Sequence, residues 1–287
     1  MSAAAAARGR VVFVGAGPGM ADLITVRGAD RLRSAEVVLF DSLADPALRG
    51  LAPKARWIDV GKRGRTGVAH GAANERTSAG QAMINALLVK QASEGKRVVR
   101  LKGGDPGVFG RLEEELEALA AAGIECEVVP GVSAAMAAAA ATQRPLTRRG
   151  SGRSVSLATA MTGDAGIQAG HHADTEVFYM AGRQLALLAH RLAEAGWPGG
   201  TPACVVSRAG WPDAIATDHT VATLADATAL HAGRPAVVTL GAGATPIGTT
   251  PPRREHEHEH PAQPREHDWN RPDAPRPALR ARSTTTP

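Results

Sequence analysis

Residues 96–123 read KRVVRLKGGDPGVFGRLEEELEALAAAG. A short apolar run around Val98 and Val99 enters a glycine-rich loop from Lys102 to Arg111, and an amphipathic stretch follows that closes on Gly123. Strand, loop and helix in that order form the repeating unit of parallel α/β sheets, and the loop falls at the carboxyl end of the strand, where open sheets of this class bind ligands. Gly103 and Gly104 let a ligand approach the backbone, Asp105 offers a carboxylate to an amino group or a ribose hydroxyl, and Pro106 fixes the turn. As a plain turn, KGGDP would be unremarkable. The length of the loop and its Phe109-Gly110-Arg111 ending exceed what a turn needs.

The same alternation extends in both directions. Upstream lie the strand-like runs RVVFVG (10–15), EVVLFD (36–41) and ARWIDVG (55–61), with a helix-like stretch over 78–95 ending on Gly95; downstream lies ECEVVPG (125–131). After the small-residue stretch from Ser133 to Thr142 a second series appears: SVSLAT (154–159), EVFYMAG (176–182), PACVVSRAG (202–210) and PAVVTLGAG (235–243). These runs predict an α/β protein with an N-terminal α/β domain over 10–132 and a C-terminal one over 133–244. Residues 1–9 and 245–287 are expected to be disordered, since the latter hold nine of the nineteen prolines and almost no large apolar side chains.

Composition narrows the function classes. No apolar run reaches the roughly 18 residues of a membrane span, and the opening MSAAAAARGR lacks the order of a secretion signal, so a cytoplasmic protein is expected. The formal charge is +5, of which the segment from residue 246 contributes seven arginines against six acidic residues, so it is no basic arm. With nine aromatics in the chain and none interleaved with a basic block, no nucleic-acid partner is expected, whereas a polyanionic small molecule is compatible. Cys126 and Cys204 each sit in an apolar run, the context of inert buried thiols. His256, His258 and His260 alternate with glutamate in a segment offering no preformed geometry, so no metal site is assigned.

The first strand runs into Gly15-Ala16-Gly17-Pro18-Gly19, with Asp41 closing the second strand. This superficially matches a dinucleotide fingerprint, and a nicotinamide-dependent oxidoreductase is the alternative class to weigh. The third glycine comes one position early and Pro18 removes a backbone N–H, both of which count against a pyrophosphate cradle. Taken alone, these glycines would do no more than permit a tight strand-to-helix turn.

GAGPG, Asp41-Ser42-Leu43, Gly61-Lys62-Arg63, the KGGDPGVFGR loop, Val129-Pro130-Gly131-Val132-Ser133-Ala134 and Pro145-Leu146-Thr147 occur in this order. Over about residues 10–243 the chain resembles the uroporphyrinogen-III C-methyltransferases of the tetrapyrrole methylase family. The resemblance implies a homodimer of two-domain subunits that binds S-adenosylmethionine in the cleft between the domains and methylates uroporphyrinogen III to precorrin-2, on the way to sirohaem or cobalamin. Positions matching the family's cofactor contacts are Pro18, Gly103, Gly104, Asp105, Val108, Ser133, Ala134, Met180, Ala209 and Ala236. Most are small or apolar, which suits a ligand without phosphate. Met180 read alone is a core-filling thioether, and it is the match to the family that makes it a contact.

The reaction implied is attack by an electron-rich pyrrole carbon on a sulfonium methyl, for which positioning rather than a nucleophilic side chain is required. A substrate rich in carboxylates calls for Arg or Lys, and Lys62, Arg63, Arg111, Arg148 and Arg149 are the candidates. Arg111 stands out because it begins a helix, where the dipole disfavours a cation unless an anion is near. Asp41 matches a family position on the substrate side, where it would accept a pyrrole N–H or assist proton removal; capping the following turn is the other reading. Asp41 and Arg111 are thus the candidates closest to the chemistry. Three places depart from the family pattern: Arg148 where a His is usual, Ala160-Met161 where a Gly-His pair is usual, and Gly107 in place of a bulky residue. They bear on the substrate-side wall, and a later precorrin is the alternative substrate. RLEEE also lacks the family's Gly-Gly after Arg111.

Overall fold

Val11, Val12, Phe13 and Val14 are all buried, as are Val37 to Leu39 and Val98 to Leu101. Strands apolar on both faces require cover on both faces, which only a layered α/β arrangement supplies. The structure, a computed structural model, describes residues 9–61, 73–161 and 166–248. The first half runs β1 (Arg10–Gly15), α1 (Val26–Arg33), β2 (Val37–Phe40), β3 (Arg56–Asp59), α2 (Ala73–Ser93), β4 (Arg97–Lys102), α3 (Leu112–Ala121) and β5 (Cys126–Val129). Its five strands form one sheet in the order β3-β2-β4-β1-β5, every pair parallel.

The period of two along each strand sorts the side chains between two cores. Val11, Phe13, Val37, Leu39 and Val98 face α2 and α3, where they meet Ile84, Leu88 and Leu119. Val12, Val14, Val38, Val99 and Leu101 face the other way, against Leu32 of α1 and Leu48. The expected helix ends hold, with Gly95 and Gly123 both at positive φ.

The second half contains α4 (Ala134–Ala141), β6 (Val155–Thr159), β7 (Thr175–Tyr179), α5 (Leu185–Glu194), β8 (Pro202–Ser207), β9 (Ile215–Thr220), α6 (Thr228–His231) and β10 (Ala236–Gly241). Its sheet order is β6-β7-β10-β8-β9. Only β6 and β7 are parallel; the other three pairings are antiparallel. The parallel architecture read from the sequence therefore holds for the first sheet alone. β9 is an addition, because its sequence IATDHT carries Asp218 and His219 on an edge strand and lacks the apolar run that marks the other nine.

Other expectations need correction. Cys126 is exposed, because β5 is an edge strand with only Val129 fully buried, while Cys204 is buried as expected and its thiol is pushed up to about 11, chiefly by burial. Gly9 and Thr245, assigned to the disordered ends, are tied to the body: Gly9 N–H donates to Ala92, and Thr245 is buried and donates to the carbonyl of Ala242. The EHEHEH run lies outside the described residues.

Candidate active site

β1 and β4 lie side by side, yet the helix after β1 covers one face of the sheet and the helix after β4 covers the other. The connections that leave them run to opposite faces, which makes the carboxyl ends of these strands the topological switch point where open α/β sheets bind ligands. The two loops leaving here are GAGPG and KGGDPGVFGR.

The loops meet through glycine. Gly104 N–H donates to the Gly17 carbonyl at 2.7 Å and Gly17 N–H returns to Gly104 at 3.3 Å, while Ala16 N–H donates to Lys102 at 2.8 Å. Gly104 has φ +71°, a conformation that disfavours any side chain. A Cβ on Gly15 would stand 2.5 Å from Cα of Gly131 and 2.7 Å from the carbonyl oxygen of Gly104, so three chain segments touch backbone to backbone here. Asp105 binds the third segment. Its Oδ2 accepts from Gly131 N–H at 2.9 Å and its Oδ1 from Gly107 N–H at 2.7 Å. The carboxylate that the sequence offered to a ligand is thus first a strap between the KGGDP and VPGVS segments.

Asp41 likewise serves two partners. Oδ1 accepts from Leu43 N–H at 3.1 Å, the turn cap that was one of its two readings, and Oδ2 accepts from Gly103 N–H at 3.2 Å. Under the same loop, Lys102 and Arg100 point into the sheet's helix-covered face and meet Glu115 of α3. Lys102 Nζ donates to Oε2 at 2.8 Å, Arg100 Nε to Oε1 at 3.2 Å, and Gln81 Nε2 to Oε1 at 3.1 Å. Burial, then the neighbouring Arg100, holds the Lys102 ammonium below its usual range.

Residues of the second half close on the loop. The Ser133 hydroxyl and the Tyr179 hydroxyl are 2.7 Å apart and buried, and the Tyr179 ring lies 5.1 Å from that of Phe109. Val108 and Ala134 pack against the cluster that contains Tyr179. Gly19 and Gly210 touch backbone to backbone, and Met20 N–H donates to the Gly210 carbonyl at 3.0 Å, bringing the segment after β8 against GAGPG. Four non-glycine residues in the segments that follow β4, β7 and β8 have positive φ: Phe109, Arg111, Met180 and Arg208. Each costs about 1 kcal/mol or more, and such strain gathers where a fold holds loops for function.

The dinucleotide alternative loses its footing. Ten residues separate β1 from α1, whose N-cap is Thr25, and only a three-residue 3-10 turn, Ala21–Leu23, follows the glycines, so no α-helix N-terminus stands there to receive a pyrophosphate. The backbone groups of Gly17 are spent on Gly104.

A family model described as Tetrapyrrole (Corrin/Porphyrin) Methylases matches residues 10–225. The chain belongs to this family. As a tetrapyrrole methylase it is 42% identical over 239 residues to the sirohaem synthase of Neisseria meningitidis serogroup B, covering 81% of this chain and 47% of that protein. A sirohaem synthase of Escherichia coli is 38% identical over 239 residues, covering 82% of this chain and 50% of that one. The chain thus spans about half the length of the curated relatives it matches. Solved structures match nearly end to end. A uroporphyrin-III C-methyltransferase from Thermus thermophilus is 37% identical with a TM-score of 0.68, covering 83% of this chain and 94% of that one. Another Thermus thermophilus structure, complexed with S-adenosylhomocysteine, is 32% identical with a TM-score of 0.67 and coverage of 81% and 97%. A cobalt precorrin-4 methyltransferase is 30% identical with a TM-score of 0.68 and coverage of 83% and 96%.

In this tetrapyrrole methylase the candidate residues do not all converge equally. Gly104 and Asp105 stand where the three segments meet, Gly103 is tied to Asp41, Ser133 bonds Tyr179 while Val108 and Ala134 pack against its cluster, and Met180 follows Tyr179 in the chain with its side chain exposed. Pro18 lies in the GAGPG turn, and Ala209 is buried beside Gly210. Ala236 directs its methyl into the core of the second half and stands in register with Ser207 of β8. Arg111 is the N-cap of α3, and the anion that answers the dipole is Glu114 of the same helix, reached at 2.7 Å. Arg148 donates from Nη2 to the Thr245 carbonyl, and its Nε is buried without a hydrogen-bond partner. Arg149 is exposed. Lys62 and Arg63 lie outside the described residues. Tyr179 was missed by sequence reasoning, although it is the chain's only tyrosine and precedes Met180 in the YMAG run.

Proposed function

We propose that this chain is a uroporphyrinogen-III C-methyltransferase that uses S-adenosylmethionine and yields precorrin-2 by way of precorrin-1. The observation that carries the reading is the meeting of Gly15, Gly104 and Gly131 at the switch point of a tetrapyrrole methylase. At Gly104, where a Cβ would meet nothing nearer than the Val132 carbonyl oxygen at 4.0 Å, bare backbone lies open to a ligand, and Val108, Ala134 and Met180 would supply shape-matched walls. The solved relative complexed with S-adenosylhomocysteine supports the same cofactor.

When bound, S-adenosylmethionine supplies the methyl group as an electrophile on sulfur. Gly103, Gly104, Asp105, Val108, Ser133, Ala134, Met180 and Pro18 would hold it, with the backbone at Ala209 and Ala236, in a cleft between the two α/β halves. Asp41, held by Leu43 and Gly103 N–H groups, keeps acceptor capacity for a pyrrole N–H or the departing ring proton. Arg111, with Lys62, Arg63, Arg148 and Arg149, would grip the substrate's carboxylates, Arg111 by exchanging Glu114 for a carboxylate of the ligand. We assign this activity to a homodimer in the cytoplasm; among the described residues no helix is long and apolar enough to cross a membrane. The proposal covers methyl transfer alone.

A later precorrin is the second reading, favoured by the altered wall at Gly107, Arg148 and Ala160-Met161 and by a TM-score to the cobalt precorrin-4 enzyme equal to that of the uroporphyrin enzyme. The test of cofactor class is thermal unfolding with S-adenosylhomocysteine against NAD. A ligand at a hundred times its dissociation constant stabilises by about 2.7 kcal/mol. The homocysteine derivative should raise the midpoint and NAD should not; the reverse would overturn the assignment.

A further inference from the structure

Ser133 occupies the N-cap of α4, where a serine ordinarily turns its hydroxyl onto its own helix. Here it makes no such cap and is directed at Tyr179 instead, 2.7 Å away with both side chains buried. That departure from a local preference needs a compensating purpose, since a capping bond is worth about 1 kcal/mol. The Tyr179 ring meets Phe109 at 5.1 Å in a tilted contact, so one side chain touches both the start of α4 and the ligand loop. Phe109, which makes that contact, and Met180, which follows Tyr179 in the chain, both have positive φ, and something must hold each of them there.

Resting on the function proposed above, we infer that Tyr179 is a positioning residue for the cofactor: its hydroxyl sets Ser133 and Ala134, and its ring sets Val108 and Phe109. Met180 follows it directly in the chain and inherits its placement. Four expected cofactor contacts, from three separate segments, are therefore fixed by one side chain that has no assigned role of its own. A tyrosine here does what phenylalanine cannot, because the bond to Ser133 joins the second sheet to α4. Losing the hydroxyl should loosen the cofactor's walls while leaving the tetrapyrrole side untouched.

The test is calorimetric titration of S-adenosylhomocysteine into the full chain and into Tyr179→Phe, Ser133→Ala, Ser133→Thr and the Tyr179→Phe/Ser133→Ala double variant. Tyr179→Phe and Ser133→Ala should each weaken binding by about fivefold, the effect of one lost hydrogen bond, and the double variant should be no weaker than either. Ser133→Thr, which keeps the hydroxyl, should lose less affinity than Ser133→Ala. With S-adenosylmethionine and uroporphyrinogen III, KM for the cofactor should rise more than kcat falls, with KM for the tetrapyrrole unchanged. Unchanged affinity in both single variants, or losses that add in the double variant, would overturn the inference. If Tyr179→Phe fails to fold, Ser133→Ala and Ser133→Thr decide alone. A parent protein that binds no S-adenosylhomocysteine would instead remove the functional reading and the inference with it.

Discussion

Glu115 Oε2 accepts a hydrogen bond from Lys102 Nζ at 2.8 Å, with the lysine side chain 4% exposed and the glutamate not at all. Arg100 shares the same carboxylate at 5% exposure, so two cations lean on one anion beneath the glycine loop. A buried ion pair contributes little net stability, but removing one partner strands the other. The partners are unequal. Glu115→Gln leaves two buried cations unanswered and should destabilise by about 3–5 kcal/mol, whereas Lys102→Met leaves an Arg100–Glu115 pair of balanced charge and should cost roughly 1 kcal/mol. Urea unfolding measures both, and a Lys102→Met loss as large as that of Glu115→Gln would contradict the electrostatic ranking.

His231 is fully buried, with Nε2 2.8 Å from the Thr217 hydroxyl, which in turn lies 2.8 Å from His219 Nε2. Burial, then His219 and Arg234, holds its pKa below the ordinary 6.5. A base depressed on folding binds its proton in the unfolded chain first, so stability is full above about pH 6.5 and is lost as pH falls toward the folded value. Unfolding midpoints should therefore decline below pH 6.5, ahead of the carboxylate transitions, and His231→Gln should flatten that decline. An unchanged slope in the variant would exclude His231 as its source.

The parallel half of the fold was open to sequence reading because strands covered on both faces are continuous apolar runs, as Val11–Val14 and Val37–Leu39 show. Direction was not, since a run such as Ala236–Leu240 carries no mark of whether its neighbour is parallel or antiparallel. The glycines of the site were visible as motifs, but what they touch was not: Gly15 meets Gly131 from a distant part of the chain, a contact only the sheet order creates. For the same reason Asp105 read as a ligand group rather than as a strap to Gly131, and Tyr179 passed unnoticed because its partners Phe109 and Ser133 are distant in sequence.

Asp105→Asn isolates that strap. An amide keeps one accepting oxygen and turns an N–H₂ toward the other backbone N–H, so either Gly107 or Gly131 loses its acceptor. The cost should be about 1–3 kcal/mol in urea unfolding, with a parallel loss of S-adenosylhomocysteine affinity. Full affinity in the variant would show that the strap does not shape the site.

Arg111→Ala separates substrate from cofactor. Loss of a charge-assisted bond to a substrate carboxylate should lower kcat/KM for the tetrapyrrole by roughly tenfold to a hundredfold, with S-adenosylhomocysteine affinity within about twofold of the parent. Equal losses in turnover and in calorimetric affinity would confine Arg111 to its pair with Glu114.

The most direct test incubates the protein with methyl-labelled S-adenosylmethionine and uroporphyrinogen III under reducing conditions and follows label into the tetrapyrrole. Transfer of label to ring carbon, passing through a singly methylated to a doubly methylated product, is the predicted result. A protein that binds S-adenosylhomocysteine yet leaves uroporphyrinogen III unlabelled would contradict it.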